Sequence, residues 1–327
     1  MLKYILKRLL MVILVVVGVA VIIFTIMYFT PGDPVQIVLG GGYTQEQYLE
    51  MKAKLGLDQP FLMQLLNFLK QIFINLDLGT SYLDGTSVMH ELLIRFPQTL
   101  IIAAVCCVLQ VAVAVPLGIT AAVHQGKFVD RLCMVVALIS ISLPAFWFAM
   151  MLMLIFSLHL GILPSFYQGG WTSYVLPCVA NCLTGLGGMA RQTRSQMLEV
   201  IRSDYVTTAR AKGVSERAIL YKHALPNALI PVITSAGTHF GAALGGTVII
   251  ETVFSIPGIG YYMRTAIANR DLPVVRGGVT LLAFLFCIVM LLVDLAYAYV
   301  DPRIKAQYEN SSKKRIKKIK PVVAKEA

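Results

Sequence analysis

The side chains that could bind a metal or act as nucleophiles are five histidines and six cysteines. Cys106, Cys107, Cys133, Cys178, Cys182 and Cys287 all fall within long apolar runs, which excludes a disulfide framework of the secreted kind. Cys178 and Cys182 stand at i,i+4 and share one helix face, where small packing residues outnumber metal ligands. His90-Glu91 opens like the helix of a zinc protease, but the second histidine would fall at Ile94. The chain contains no GxxxxGK[ST] to cradle a nucleoside triphosphate and no GxSxG turn to present a serine nucleophile. The expectation is therefore a chain that is not an enzyme and holds neither a metal nor a cofactor of its own.

Three polar side chains inside apolar runs carry more. Asp294 lies about two turns from the end of the last run, where an acid either couples to protons or reaches a cation at the interface. Glu251 follows a glycine-rich stretch, Gly237, Gly241, Gly245 and Gly246, with His239 inside it. Such glycines let helices approach closely, for tight packing or for a sliding gate. His239, Gly241, Gly245 and Glu251 are the candidates for a gate or pathway; for His239 the competing role is a satisfied interhelical donor.

The elements that would position these residues follow from composition. Of 327 residues, 57% are hydrophobic and 14% charged, against about 25% charged in an ordinary soluble domain. Mean hydropathy is +0.74, yet the net charge is +11. Runs of about 20 apolar residues are long enough to cross a bilayer. Six are predicted: Leu9 to Phe29, Leu100 to Val123, Leu132 to Leu160 with Pro144 inside, Tyr174 to Ala190, Ala228 to Ile250, and Val274 to Val300 with Arg276 and Asp294 near its ends. The fourth is short and broken by Pro177, Gly185, Gly187 and Gly188. The first run exceeds the core of a cleaved signal peptide and lacks a small-x-small cleavage site before Pro31, so it reads as a retained signal anchor.

With the N-terminus inside, three Lys/Arg precede the first span, two lie in 124–131, seven in 191–227 and nine after 300, which makes 21 of the 28. The positive-inside rule places both termini in the cytoplasm. The same distribution removes nucleic acid as a partner, because the charge sits in loops on one side and in a basic tail near lipid. The chain divides into 1–30, a stub and first span; 31–98, an extracytoplasmic helical segment; 99–300, a five-helix core; and the tail 301–327. In 31–98, Thr44 and Gln47 form a capping box for a helix ending at Gly56, and Pro60 opens a second helix whose Phe61, Leu65, Phe68, Leu69 and Ile72 share one broad face. Acids outnumber bases there, seven to four, which suits either a docking surface or a cover on the bundle.

The loop 191–227 is patterned rather than slack. Ser203 or Asp204 can cap a short helix, Tyr205 to Lys212, and Gly213 can take the left-handed position that stops it. Ser215 can cap a second helix ending at Leu225-Pro226. Thr208, Ala209 and Ala211 are small, so the first helix would fit a groove on another protein; the alternative is a loop packed on its own bundle.

At these residues the chain resembles the permeases of ABC importers. Their EAA loop reads Glu-Ala-Ala, three residues, Gly, nine residues, Ile-x-Leu-Pro. Thr207-Thr208-Ala209, Gly213 and His223-Ala224-Leu225-Pro226 keep that spacing, with the Glu, the first Ala and the Ile replaced. Asp204-Tyr205-Val206 followed by Ala209-Arg210-Ala211-Lys212-Gly213 is similar to the dipeptide/oligopeptide/nickel variant. Matches across most of the chain agree: Pro31-Gly32-Asp33-Pro34, Leu55-Gly56-Leu57-Asp58, Asp77-Leu78-Gly79, Glu251 through Gly260, and Asp301-Pro302-Arg303.

The resemblance implies an all-α membrane protein with six transmembrane helices in the type I ABC importer permease fold, located in the bacterial cytoplasmic membrane. It implies a second permease subunit, two cytoplasmic ATPases that bind the ATP and Mg, and an extracytoplasmic binding protein. Asp204, Tyr205, Thr208, Ala209, Ala211, Lys212, Gly213, Leu225 and Pro226 would form the ATPase-coupling element. The implied cargo is a di- or oligopeptide, with nickel or a metal chelate as the alternative within the family. A secondary transporter driven by an ion gradient is the rival of another class; it would lean on Asp294 and on inverted repeats, and no repeat relates the two halves.

Overall fold

The computed structural model describes residues 2–300; the basic tail, and with it the Asp301-Pro302-Arg303 match, lies outside them. The described residues are helical, apart from a bridge pairing Thr80 with Ser87 and the connecting loops. Helix α1 (Leu2–Phe29) leads into a segment of three helices, α2 (Pro34–Leu39), α3 (Gln45–Lys54) and α4 (Phe61–Phe73). Asp33 caps α2, accepting from the Val35 N–H at 2.9 Å. The Thr44–Gln47 capping box forms with both of its bonds, at 2.8 and 3.3 Å.

Helix α5 (Val88–Val123) is the 36-residue spine of the molecule. Hydrophobic clusters follow one another along it, around Val88 and Leu92, then Ile102, then Cys106 and Ala114, then Ala122. Helix α6 (Phe128–Ser142) is followed by α7 (Ala145–Leu152), which runs into a π-helical turn, Met153–His159. The third apolar run is thus not one straight span: its two parts meet at 100°. Pro144 is the cause, since it forces Leu143 into an extended conformation (φ −83°, ψ 125°).

Helix α8 (Thr172–Ile201) corrects the fourth span in the opposite sense. It is an unbroken helix of 30 residues, and two of its three glycines, Gly185 and Gly187, serve packing. A Cβ on Gly187 would stand 2.0 Å from the Ala137 carbonyl oxygen of α6, and one on Gly185 would stand 2.6 Å from Gln110 Nε2 of α5. Backbones that close need small residues at the contact.

Helix α9 (Asp204–Ala211) and the single turn α10 (Glu216–Ala218) follow, then a π-helical turn, Ile219–Ala224, and α11 (Leu225–Gly246). The second loop helix therefore does not end at Leu225-Pro226 but continues into the membrane-length helix. Pro226 sits in the first turn of α11, where its missing N–H is tolerated after the wider π turn. Helix α11 stops at Gly246, earlier than the predicted fifth span, and Ile250 belongs to a separate short helix, α12 (Val248–Val253). It is followed by α13 (Ile259–Ala268) and α14 (Leu272–Val300).

Among the described residues, four helices are long and apolar enough to cross a membrane, within 8–29, 88–123, 216–245 and 272–295; the bent α6–α7 pair makes a fifth if counted as one span. Helices α11 and α14 pack closely where Gly237 faces Val293 and Gly241 faces Phe286.

Candidate functional site: the projecting loop helix and the buried carboxylate

Helix α9 is held at its base and open elsewhere. Val206 is its buried residue, while Asp204, Tyr205, Thr208, Ala211 and Lys212 are exposed and Ala209 is half-buried. Ser203 occupies the N-cap position, but its hydroxyl donates to the Val200 carbonyl at 2.6 Å instead of capping. Ser215 likewise makes no side-chain cap on α10. The Val206 and Thr207 N–H groups both donate to the Ser203 carbonyl at 3.1 Å, and Asp204 in the first turn suits the positive end of the helix.

The stop is as the sequence predicts. Gly213 has φ +78°, its N–H donates to the Arg210 carbonyl at 2.9 Å, and the Val214 N–H donates to the Ala209 carbonyl at 3.2 Å. This pair of bonds is a Schellman motif, in which the left-handed residue is glycine because a Cβ would be strained there.

Side chains lock α9 to its surroundings. Arg210 donates to both carboxylate oxygens of Glu216, at 2.7 and 3.3 Å. That carboxylate holds the guanidinium above its usual pKa range, so the clamp stays charged. Asn227 of α11 donates to the Tyr205 hydroxyl at 2.9 Å. Leu225 is half-buried and Pro226 exposed at the start of α11. Helix α9 thus rests on the end of α8 and on the π turn that feeds α11.

A second lock stands above it. Arg194 of α8 donates through Nε and an Nη to the two oxygens of Asp130, both at 2.7 Å, and the Gly126 N–H adds a bond at 2.9 Å. Asp130 is buried at the start of α6. No sequence signal links two residues 64 positions apart, and the sequence reading missed this pair.

The four gate or pathway candidates are not in one place. Gly241 packs on Phe286, and a Cβ on Gly245 would meet open space. His239 is half-buried where α11 comes against Gly185 and Gln110. Glu251 is fully buried in a closed cluster. One carboxylate oxygen accepts from the hydroxyls of Thr99 (2.7 Å) and Thr247 (2.8 Å); the other accepts from the Tyr261 N–H (2.9 Å). Thr99 in turn accepts from the Ile259 N–H at 2.9 Å. The carboxylate sits at the N-terminus of α13, where positive partial charge favours an anion. A Cβ on Gly258 would stand 2.5 Å from the carboxyl carbon, and one on Gly260 would stand 2.6 Å from Val248 Cα. The run Glu251 to Gly260 is thus a folded unit: the acid, the turn and the two glycines that let α13 reach it. Asp294, finally, pairs with Arg8 of α1 at 2.8 Å.

Described residues that are helical, several membrane-length helices among them and a short helix between α8 and α11 define a multi-pass membrane protein of the transporter-permease kind. The chain belongs to the family of membrane components of binding-protein-dependent transport systems. Residues 114–306 match the family described as the binding-protein-dependent transport system inner membrane component, and residues 1–103 match its N-terminal companion. Among relatives, the dipeptide transport system permease protein DppB of Alkalihalophilus pseudofirmus is 37% identical over 333 residues, spanning 93% of this chain and all of that one. A putative peptide transport system permease of Brucella abortus is 40% identical over 92% of this chain and 98% of its own. The glutathione transport system permease GsiC of Salmonella typhimurium is 39% identical over 93% and 99%. Among solved structures, the inward-facing MetNI methionine ABC transporter shares the fold, with a TM-score of 0.53 and 18% identity over 65% of this chain and 97% of that one.

Proposed function

We propose that this chain is one of two permease subunits of an ATP-driven importer of di- or oligopeptides in the bacterial cytoplasmic membrane. In this reading α8 is the sixth membrane crossing, both termini are cytoplasmic, and 31–98 faces an extracytoplasmic binding protein. Two ATPases dock from the cytoplasm and hold the ATP and Mg. The peptide cargo is supported by the dipeptide, peptide and glutathione permeases that resemble the chain over more than nine-tenths of its length.

The observation that carries the coupling assignment is the build of α9: one buried anchor, Val206, and an outward face of small and polar residues stopped sharply at Gly213. ATP changes the relative stability of two arrangements of the ATPases, and only such a difference can drive a conformational cycle. Movement of a docked ATPase would push α9. Helix α9 passes it to α8 through its base, and to α11 through the π turn and the Asn227–Tyr205 bond.

The test is Ala209→Arg, which places a bulky cation on the docking face. Uptake of a labelled dipeptide should be abolished and ATPase copurification lost, while association with the second permease persists. Normal uptake with ATPases still bound would sink the coupling role. Growth on a sole dipeptide source, set against a nickel-limited urease assay, reads the cargo.

A further inference from the structure

Two adjoining cavities, about 730 and 560 Å³, lie between the outer segment and the outer ends of α1 and α14. They share Leu57, Gln64 and Arg276 on their walls. Arg276 is 7% exposed, and its guanidinium stands 4.2 Å above the Phe24 ring and 5.9 Å from that of Phe68. Stacking satisfies the face of a guanidinium but not its five N–H donors, which point outward in the plane. Among the described residues Nε has no acceptor, and no carboxylate pairs with the group. Asp271, one turn earlier, is already engaged by the Ser81 hydroxyl at 2.5 Å and the Tyr82 N–H at 3.1 Å. A buried cation without an anion is costly enough that its partner is to be sought outside the chain.

The surroundings say what that partner is. In a segment where acids outnumber bases, the cavity walls invert the balance: Lys52, Lys54, Arg270 and Arg276 against Asp33 alone. Asp33 is committed to the Tyr48 hydroxyl at 2.6 Å and to capping α2. The larger cavity is also walled by Ile23 and Met27 of α1 and Val275 and Val279 of α14, next to a stretch of α1 whose Ile22, Ile26 and Phe29 are exposed. Cations at one end and an apolar wall at the other fit an anion that carries acyl chains.

We infer that Arg276, with Lys52, Lys54 and Arg270, binds the phosphate headgroup of an anionic phospholipid of the outer leaflet, whose acyl chain lies along α1 and α14. The lipid would tie the outer segment to the bundle at the surface where α1 meets α4.

The test uses the full-length chain, purified with whatever subunits accompany it and placed in phosphatidylcholine nanodiscs doped with phosphatidylglycerol. Native mass spectrometry should find phosphatidylglycerol retained on the wild type. Arg276→Gln should weaken retention about ten- to hundredfold, the scale of a charge-assisted hydrogen-bond pair. Because Arg276 is buried, Lys52→Gln with Lys54→Gln provides a variant on the outer helix α3 that leaves the core untouched; it should weaken retention about fivefold or more. Equal retention in wild type and variants overturns the inference. So does displacement of the lipid by inorganic phosphate or glycerol phosphate, which would make this a site for a free anion.

Discussion

Thr99 and Glu251 are 152 positions apart in the chain, and the hydroxyl of one donates to the carboxylate of the other at 2.7 Å in a fully buried site. The bond joins the spine helix α5 to the short helices α12 and α13, and Thr99 also accepts from the Ile259 N–H. One threonine and one glutamate thereby satisfy groups from three helices.

Removing that carboxylate should be costly. Glu251→Ala strands the Thr99 and Thr247 hydroxyls and the Tyr261 N–H, and loss of a buried hydrogen-bonded network of this kind destabilises by about 3–5 kcal/mol. Glu251→Gln keeps one acceptor and should fall between. Thermal unfolding of the detergent-solubilised protein measures both, and an unchanged midpoint for the alanine variant would remove the structural role.

Gly213→Val tests the helix stop. At φ +78° a β-branched residue costs about 1–2 kcal/mol, so the end of α9 should fray while the bundle remains folded. The expected outcome is ATP hydrolysis that persists with peptide uptake reduced at least severalfold, read in proteoliposomes. Tight coupling in the variant would contradict it.

Arg194→Gln leaves the buried Asp130 with only the Gly126 N–H. Because Arg194 is partly exposed, water screens part of the loss, and destabilisation of about 1–3 kcal/mol is expected. Arg194→Lys should recover less than half, since a point charge cannot reproduce two parallel bonds. Unfolding midpoints of the two variants rank them.

Gly237→Ala would place a Cβ 2.1 Å from Val293 and overpack α11 against α14, by about 1–3 kcal/mol. Val293→Ala should rescue it. A double-mutant cycle on thermal stability should show a positive coupling of at least about 1 kcal/mol; additive effects would mean that the helices separate instead.

Asp294 pairs with Arg8, which argues for an anchor between α14 and α1 rather than a proton relay. Asp294→Asn should keep uptake within about twofold of wild type, because the pair is partly exposed and worth little. Uptake that collapses and responds to an imposed pH gradient would restore the ion-coupled reading.

How much of this was legible beforehand differs by element. The capping box at Thr44, the stop at Gly213 and the apolar runs are local: each depends on residues within a turn or two, so spacing alone revealed them. The elbow at Pro144 was visible as a proline but not as a turn of 100°, because the angle depends on what α6 and α7 pack against. Gly185 and Gly187 of α8 read as breaks, since glycine weakens an isolated helix, and became contacts only once α5 and α6 lay against them.

From the sequence by itself came a helical membrane chain, the bias of its charges, a short loop helix stopped at a glycine and the family to which these motifs belong. Tertiary structure alone decided the partners of its buried polar groups. Glu251 finds Thr99, Asp130 finds Arg194, and Arg276 finds two aromatic rings and, among the described residues, no anion. The reason is physical: helical propensity and hydrophobic periodicity act between neighbours in the chain, whereas a desolvated charge must be met by whatever group the packing of distant helices brings within about 3 Å.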